Sequence, residues 1–149
     1  MTAVPIRLLL LEDNEGDARL VQGALAEDAA GGYVVTRVER LADALARIRT
    51  ERFDAVLCDL DLPDSTGLTA VQAIATLSPE LPVVVLTGLH DKDLGRAAIG
   101  HGAQDYLVKG EASGPMVART LRYAIERKRL EIGIRVANES LARRVAERT

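Results

Sequence analysis

The feature that most constrains this fold is a series of short apolar runs that alternate with longer segments of helical periodicity. Runs this short, without polar alternation, are typical of strands buried on both faces of a parallel sheet. Because helical segments separate them, we expect right-handed crossovers with helices on both faces of the sheet. The pattern predicts an α/β fold with five helices and five strands, at Ile6–Leu11, Tyr33–Val38, Ala55–Cys58, Val83–Leu86 and Asp105–Val108.

The helical segments carry recognisable start and stop signals. Asn14 is a suitable N-cap for the first helix, and the glycine pair 31–32 predicts its end. Ser65-Thr66-Gly67 is expected to open the third helix, and the last helix is expected to begin near Pro115. These signals place a helix after every strand.

The composition bounds the class of protein. The chain has 149 residues, enough for one domain with a proper core. Cys58 is the single cysteine, so no internal disulfide is possible and a reducing compartment is expected. Residues 1–7 lack the pattern of a signal peptide, and no apolar run approaches the ~18 residues of a membrane span. We therefore expect a cytoplasmic protein without a membrane partner.

Polar residues stand where the predicted strands end. Glu12 and Asp13 follow the first strand, Asp59 the third, Thr87 the fourth and Lys109 the fifth. In an open parallel sheet, the carboxyl ends of the strands share the edge at which ligands bind. The sequence therefore predicts one crevice that gathers these carboxylates with a hydroxyl and an ammonium group.

This set of groups suits metal-assisted phosphoryl transfer. Carboxylates packed together repel one another, and a divalent cation relieves that repulsion. Oxygen ligands suit Mg²⁺ or Mn²⁺, for which Asp13, Asp59 and the backbone carbonyl of Asp61 are the candidate ligands. Lys109 and Thr87 would stabilise the charge of the transferred group. Asp59 is the candidate nucleophile, which would form an aspartyl phosphate.

Four motifs, taken in order, resemble the receiver domain of two-component response regulators. They are Glu12-Asp13, the segment 57–63 around Asp59, the segment 84–88 around Thr87, and the segment 105–109 that ends in Lys109. Each motif alone is weakly specific, but each stands at a predicted strand end. The resemblance covers about residues 4 to 128.

The resemblance implies more than the residues alone. It implies a flavodoxin-like, doubly wound sheet of strand order 2-1-3-4-5, and phosphoryl transfer to Asp59 from the phosphohistidine of a histidine kinase or phosphotransfer protein, with Mg²⁺ required. Glu12 would hold the metal through water, and Tyr106 would change rotamer with Thr87 in the activation switch. Such a receiver catalyses its own phosphorylation and dephosphorylation and is not an enzyme with a separate substrate.

Two positions depart from the family pattern. Gly110 stands where receivers commonly have proline after the active-site lysine, which puts the usual cis peptide in doubt and loosens the expected loop. Asp61 lies two residues after the acceptor and adds negative charge beside the phosphoryl group. We expect Asp61 to affect the rate of dephosphorylation, in a direction that the sequence does not give.

The C-terminal stretch is a different kind of surface. Residues 119–149 carry a net charge of +5 and the remainder −8. Leu130, Ile134, Ala137 and Leu141 repeat at coiled-coil-like spacing, so residues 129–149 are expected to extend the last helix beyond a receiver domain at 1–128. The extension is either a frayed solvated helix or a helix for dimerisation or signal relay. It also resembles the helix that joins a receiver to a following signalling domain, so it is either a linker or a stand-alone extension.

Rival interpretations stay open. A phosphatase of the haloacid dehalogenase type would use the Asp59-Leu60-Asp61 string, although its motif belongs on the first strand and Pro63 is unusual there. A third class is an interaction domain that is never phosphorylated. The basic tail lacks interleaved aromatic residues and a reading motif, so nucleic acid is not an expected partner.

Overall fold

The computed structural model of the chain describes residues 5–27 and 32–148. Within these residues, five parallel strands form the main sheet and two short strands form a separate antiparallel hairpin. The main sheet has the order β2-β1-β3-β6-β7, which is the predicted order 2-1-3-4-5 once the hairpin is set aside. The strands are β1 (Ile6–Leu11), β2 (Tyr33–Val38), β3 (Ala55–Asp59), β4 (Asp61–Leu62), β5 (Ser65–Thr66), β6 (Val83–Thr87) and β7 (Asp105–Val108).

The predicted five helices and the extended last helix are confirmed. Asn14 caps the first helix by accepting a hydrogen bond from the Asp17 amide at 2.9 Å, whereas Gly31 lies outside the described residues. The predicted start of the third helix was wrong, because Ser65 and Thr66 form the second strand of the hairpin and Gly67 turns with φ of +61°. The helices are α1 (Glu15–Ala26), α2 (Leu41–Thr50), α3 (Thr69–Leu77), α4 (Lys92–Gly100) and α5 (Gly114–Arg148).

The core lies on both faces of the sheet, as expected for strands without polar alternation. Leu8 and Leu10 of β1 face α1 and α5, and they pack with Leu25 and Leu121. The alternate residues Leu9 and Leu11 face the helices α2 and α3. Val71 of α3, Val85 of β6 and Ala98 of α4 form a smaller third cluster with Leu60 and Ala103. The sheet is therefore shielded on both faces, and its carboxyl edge remains open.

Helix α5 is longer than the core requires. It has 35 residues, about 52 Å at 1.5 Å per residue. Its buried residues end at Ile125, and beyond that point Leu130, Ile134 and Leu141 are at least 60% exposed. None of the described helices has a stretch apolar and long enough to cross a lipid bilayer.

Candidate phosphoryl-transfer site

The carboxyl edge of the sheet gathers the polar residues that the sequence singled out. Glu12 follows β1, Asp59 ends β3 and Thr87 ends β6, and all three are almost completely buried. Asp59 and Thr87 line a cavity of about 430 Å³. Asp13, Asp59, Asp61, Thr87 and Lys109 are among its lining residues.

Lys109 is at the centre of the charge distribution. Its Nζ lies 2.9 Å from Asp59 Oδ2, 2.9 Å from Glu12 Oε2 and 3.0 Å from Asp17 Oδ2. Burial works against the charged form of Lys109, but the hydrogen bonds to these three carboxylates outweigh it and raise its pKa above the ordinary value. Lys109 is therefore a fixed positive charge directly beside the carboxylate of Asp59.

Glu12 is the most buried carboxylate of the cluster. The pKa of Glu12 is raised from 4.5 to about 7, chiefly by burial and then by the neighbouring Asp59, while Lys109 and the Asn14 amide act in the opposite direction. The Asn14 amide donates to Glu12 Oε1 at 3.1 Å. A raised pKa is the behaviour expected of a buried carboxylate that lies close to another carboxylate.

The donor set fits a divalent cation. Carboxylate oxygens of Glu12, Asp13 and Asp59 lie within 4.8 Å of one another. Among the described residues that line the cavity, five carboxylates accompany the single ammonium of Lys109. Hard oxygen donors with excess negative charge suit a divalent metal ion. Asp61 is exposed at the start of β4, and its amide donates to Asp59 Oδ1 at 3.1 Å.

Thr87 and Tyr106 share a packing neighbour that the sequence did not reveal. A Cβ atom built on Gly95 of α4 would lie 2.6 Å from Thr87 Cγ2 and 2.9 Å from Tyr106 Cδ2. The Thr87 methyl and the Tyr106 ring therefore both pack on the bare backbone of Gly95. The Thr87 hydroxyl donates to the carbonyl of Gly88 at 3.1 Å, and the Tyr106 hydroxyl lies close enough to Arg96 to raise the pKa of that guanidinium.

The structure also shows the surroundings of Asp17 and the backbone conformation of Gly110. Asp17, in the first turn of α1, was not predicted as a site residue, but its carboxylate lies 3.0 Å from Lys109 Nζ. Its position four residues after Asp13, on the face of α1 next to the crevice, is the signal that could have identified it. Gly110 has a φ of +84°, which proline cannot adopt because its ring holds φ near −65°.

The thiol of Cys58 lies next to Asp59 in the sequence but takes no part in the site. The side chain is fully buried, and burial raises its pKa far above the ordinary value, with Asp59 and Glu12 adding to the effect. A thiol held protonated in this way is a poor nucleophile.

A buried carboxylate beside an ammonium, at the carboxyl edge of an open α/β sheet, is the arrangement that the resemblance to receiver domains predicted. The model of the response regulator receiver domain matches residues 8–129. The chain belongs to the family of response regulator receiver domains.

Two similar proteins are response regulators as well. The C4-dicarboxylate transport transcriptional regulatory protein DctD of Rhizobium meliloti is 32% identical over 99% of this chain and 30% of its own length. The transcriptional regulatory protein ZraR of Escherichia coli is 30% identical over 73% of this chain and 24% of its own length. The chain thus spans a quarter to a third of these relatives.

A solved receiver domain supports the fold. The response regulator receiver domain protein from Clostridium thermocellum superposes with a TM-score of 0.72, covering 84% of this chain and 98% of that one at 24% identity. No support for the phosphatase alternative comes from these relatives, which are response regulators.

Proposed function

We propose that Asp59 accepts a phosphoryl group from the phosphohistidine of a histidine kinase or a phosphotransfer protein. A carboxylate oxygen of Asp59 attacks phosphorus, the P–N bond to the imidazole breaks, and the leaving imidazole nitrogen takes up a proton from solvent. The observation that carries this proposal is the Lys109 ammonium at 2.9 Å from Asp59 Oδ2, beside a cavity of about 430 Å³. Charge developing on the phosphoryl oxygens is stabilised there by a cation already in place.

We propose Mg²⁺, or Mn²⁺ in its place, as the cofactor of this step. Asp13 and Asp59 would hold it directly together with the backbone carbonyl of Asp61, and Glu12 would hold it through water. When bound, the ion neutralises charge on the phosphoryl oxygens. The excess of carboxylates over ammonium groups in the cavity supports this assignment.

The response to phosphorylation is assigned to Thr87 and Tyr106. The Thr87 hydroxyl, which donates to the Gly88 carbonyl, would turn to the phosphoryl group, and the Tyr106 ring would follow the space that Thr87 vacates. Their common packing against Gly95 supports a coupled movement. The protein is then a receiver that catalyses its own phosphorylation and dephosphorylation, and the negative charge of Asp61 would influence the second reaction.

Intact-mass spectrometry after incubation with acetyl phosphate and Mg²⁺ tests the function. The wild-type chain should gain one phosphoryl group, and the gain should vanish in Asp59→Asn and after chelation of the metal. Asp91→Asn is a matched control, because Asp91 lines the same cavity without a proposed role. Equal labelling of Asp59→Asn and wild type would refute the assignment of the acceptor, and turnover of a generic phosphate ester would favour a phosphatase.

We further propose that residues 1–128 act as the receiver in the cytoplasm and that 129–149 are an extension through which two chains pair or pass on the signal. The exposed apolar residues Leu130, Ile134 and Leu141 support pairing, because they have no described partner within the chain. Sedimentation velocity with and without phosphodonor tests this, with Leu130→Glu and Ile134→Glu expected to abolish association. A monomer at all concentrations would exclude pairing.

A further inference from the structure

A guanidinium group on the edge strand β2 holds the loop that carries the acidic pair. Arg37 pairs with Leu10 in the register of β1 and β2, and only 25% of its side chain is exposed. Its Nε donates to the carbonyl of Glu12 at 3.0 Å, and its Nη2 donates to the carbonyl of Asp13 at 3.2 Å. Nη2 also lies 3.2 Å from Glu39 Oε1. The planar fork of arginine can bridge two successive carbonyls in this way.

One peptide group connects Arg37 with the buried carboxylate of Glu12. The carbonyl of the Asp13–Asn14 peptide accepts from Arg37, and the N–H of the same peptide donates to Glu12 Oε1 at 3.1 Å. Hydrogen bonds in series through a peptide group polarise one another. Arg37 therefore orients the amide that fixes one oxygen of Glu12, while the other oxygen lies 2.9 Å from Lys109.

We propose that Arg37 is a positioning residue for the metal and phosphoryl site, acting through the backbone of the loop at residues 12–14. The inference rests on the proposed function, because it concerns the same acidic cluster. Carboxylates of Glu12, Asp13 and Asp59 within 4.8 Å repel one another when no cation separates them. By binding the loop from its outer side, Arg37 keeps these carboxylates at the spacing that a cation needs.

The direction of the change in cation affinity distinguishes a positioning role of Arg37 from the effect of its positive charge alone. Removing a positive charge near an acidic site strengthens cation binding by Coulomb's law. Removing a group that positions ligands weakens it, typically about 10- to 100-fold. A weaker affinity in Arg37→Met is therefore an outcome that loss of charge alone does not produce.

The experiment measures Mn²⁺ binding to the full chain by the electron paramagnetic resonance signal of free Mn²⁺. We expect the dissociation constant of Arg37→Met to rise about tenfold or more. Arg37→Lys keeps the charge but not the two-pronged contact, so it should also bind Mn²⁺ more weakly than wild type. The control Arg40→Met removes one positive charge three residues away, on an exposed side chain. Arg40 lies close enough to Asp64 to help lower the pKa of that carboxyl. This variant should bind Mn²⁺ at least as tightly as wild type.

Two outcomes would overturn the inference, namely unchanged or tighter binding in Arg37→Met, or wild-type affinity in Arg37→Lys. Should Arg37→Met fail to unfold cooperatively in urea, the result for Arg37→Lys decides. Absence of Mn²⁺ binding in the wild-type chain would instead count against the proposed function.

A measurement without metal tests the contact itself. Hydrogen exchange at the Asn14 amide, followed by NMR in metal-free protein, should be faster in Arg37→Met and Arg37→Lys than in wild type and Arg40→Met. Equal protection of that amide in all four proteins would show that Arg37 does not orient the peptide.

Discussion

At the scale of single residues, the site depends on how Lys109 divides its contacts. Its ammonium group touches Glu12, Asp17 and Asp59 at 2.9–3.0 Å, and these bonds use its three protons. An incoming phosphoryl group must therefore take over at least one of these contacts. Asp17 is the most exposed of the three carboxylates, so its bond is the one most easily given up.

Replacing Lys109 with methionine should slow phosphorylation of Asp59 by about 100-fold or more, because the transition-state charge loses its preorganised cation. The rate of labelling by acetyl phosphate, followed by mass spectrometry, measures the effect. Lys92→Met is the control, since Lys92 forms an exposed ion pair with Glu111 at 2.9 Å. A rate close to wild type in Lys109→Met would contradict the role given to this residue.

Gly95 limits what can pack behind the switch residues. In Gly95→Ala the new Cβ would lie 2.6 Å from the methyl of Thr87, so Thr87 or Tyr106 must move. Overpacking of this kind costs about 1–3 kcal/mol of unfolding free energy, which urea denaturation measures.

The matched control for Gly95 is Gly23→Ala in α1, where nothing lies within 4 Å of the new Cβ. That change should stabilise the protein by up to about 1 kcal/mol, since alanine is the better helix former. A gain in stability in both variants would show that the space at Gly95 is larger than described.

Most site residues were predictable because they follow apolar runs directly. Asp13, Asp59, Thr87 and Lys109 each stand at the end of a strand pattern. In a parallel sheet these strand ends lie at the same edge, which brings the four residues together. Gly95 and Arg37 were not predictable. A glycine on a helix has no signature of close approach, and the partners of Arg37 are backbone carbonyls, which are the same for any residue.

At the scale of elements, α2 is capped by a residue that is distant in sequence. Asp64, between β4 and β5, accepts hydrogen bonds from the amides of Leu41 at 2.8 Å and Ala42 at 3.0 Å. The hydrogen bond from the Ala42 amide, followed in strength by that from Leu41, holds the pKa of Asp64 below its ordinary value. The hairpin therefore links the acidic site with the start of α2.

The cap predicts a dependence on pH. Because its pKa is lower in the folded state, Asp64 stabilises the protein above the ordinary value of 3.8, and this contribution disappears as the pH falls through the folded pKa. Asp64→Ala should thus be less stable than wild type at pH 7, and the difference should shrink towards pH 3 in urea denaturation. Asp43→Ala, also in the first turn of α2, should show a smaller difference. A gap independent of pH would contradict the ionised cap.

At the scale of the whole molecule, the last 20 of the 35 residues of α5 add little to stability. Beyond Lys128 the described residues hold no buried side chain, and the helix contacts the body through Glu131 with Gln104 and through Arg135 with Glu80. Such exposed polar contacts contribute about 0–1 kcal/mol each.

A chain ending at Lys128 should therefore unfold cooperatively, with a free energy within about 1–2 kcal/mol of the full chain. Urea denaturation followed by circular dichroism measures this. Loss of the cooperative transition in the shortened chain would show that the extension belongs to the folded core.

The global architecture was more predictable than the local connections. Apolar runs of four to six residues predicted the number, burial and parallel direction of the main strands, whereas their order was implied by the resemblance to receiver domains. The hairpin at residues 61–66 escaped prediction because Ser65 and Thr66 favour helix starts as well as turns. The chain reverses at Pro63 and Asp64, between the two short strands.

One continuous helix starts five residues after Lys109 and runs to Arg148, far beyond the last side chain that the body covers. Its first turns are packed on the body near the site, and its remaining turns are exposed and touch the body only through polar side chains among the described residues. A tilt of a few degrees at Gly114 displaces the end of the helix, about 50 Å away, by several ångströms. A movement of less than an ångström near Asp59 can therefore become a much larger movement at the end of α5.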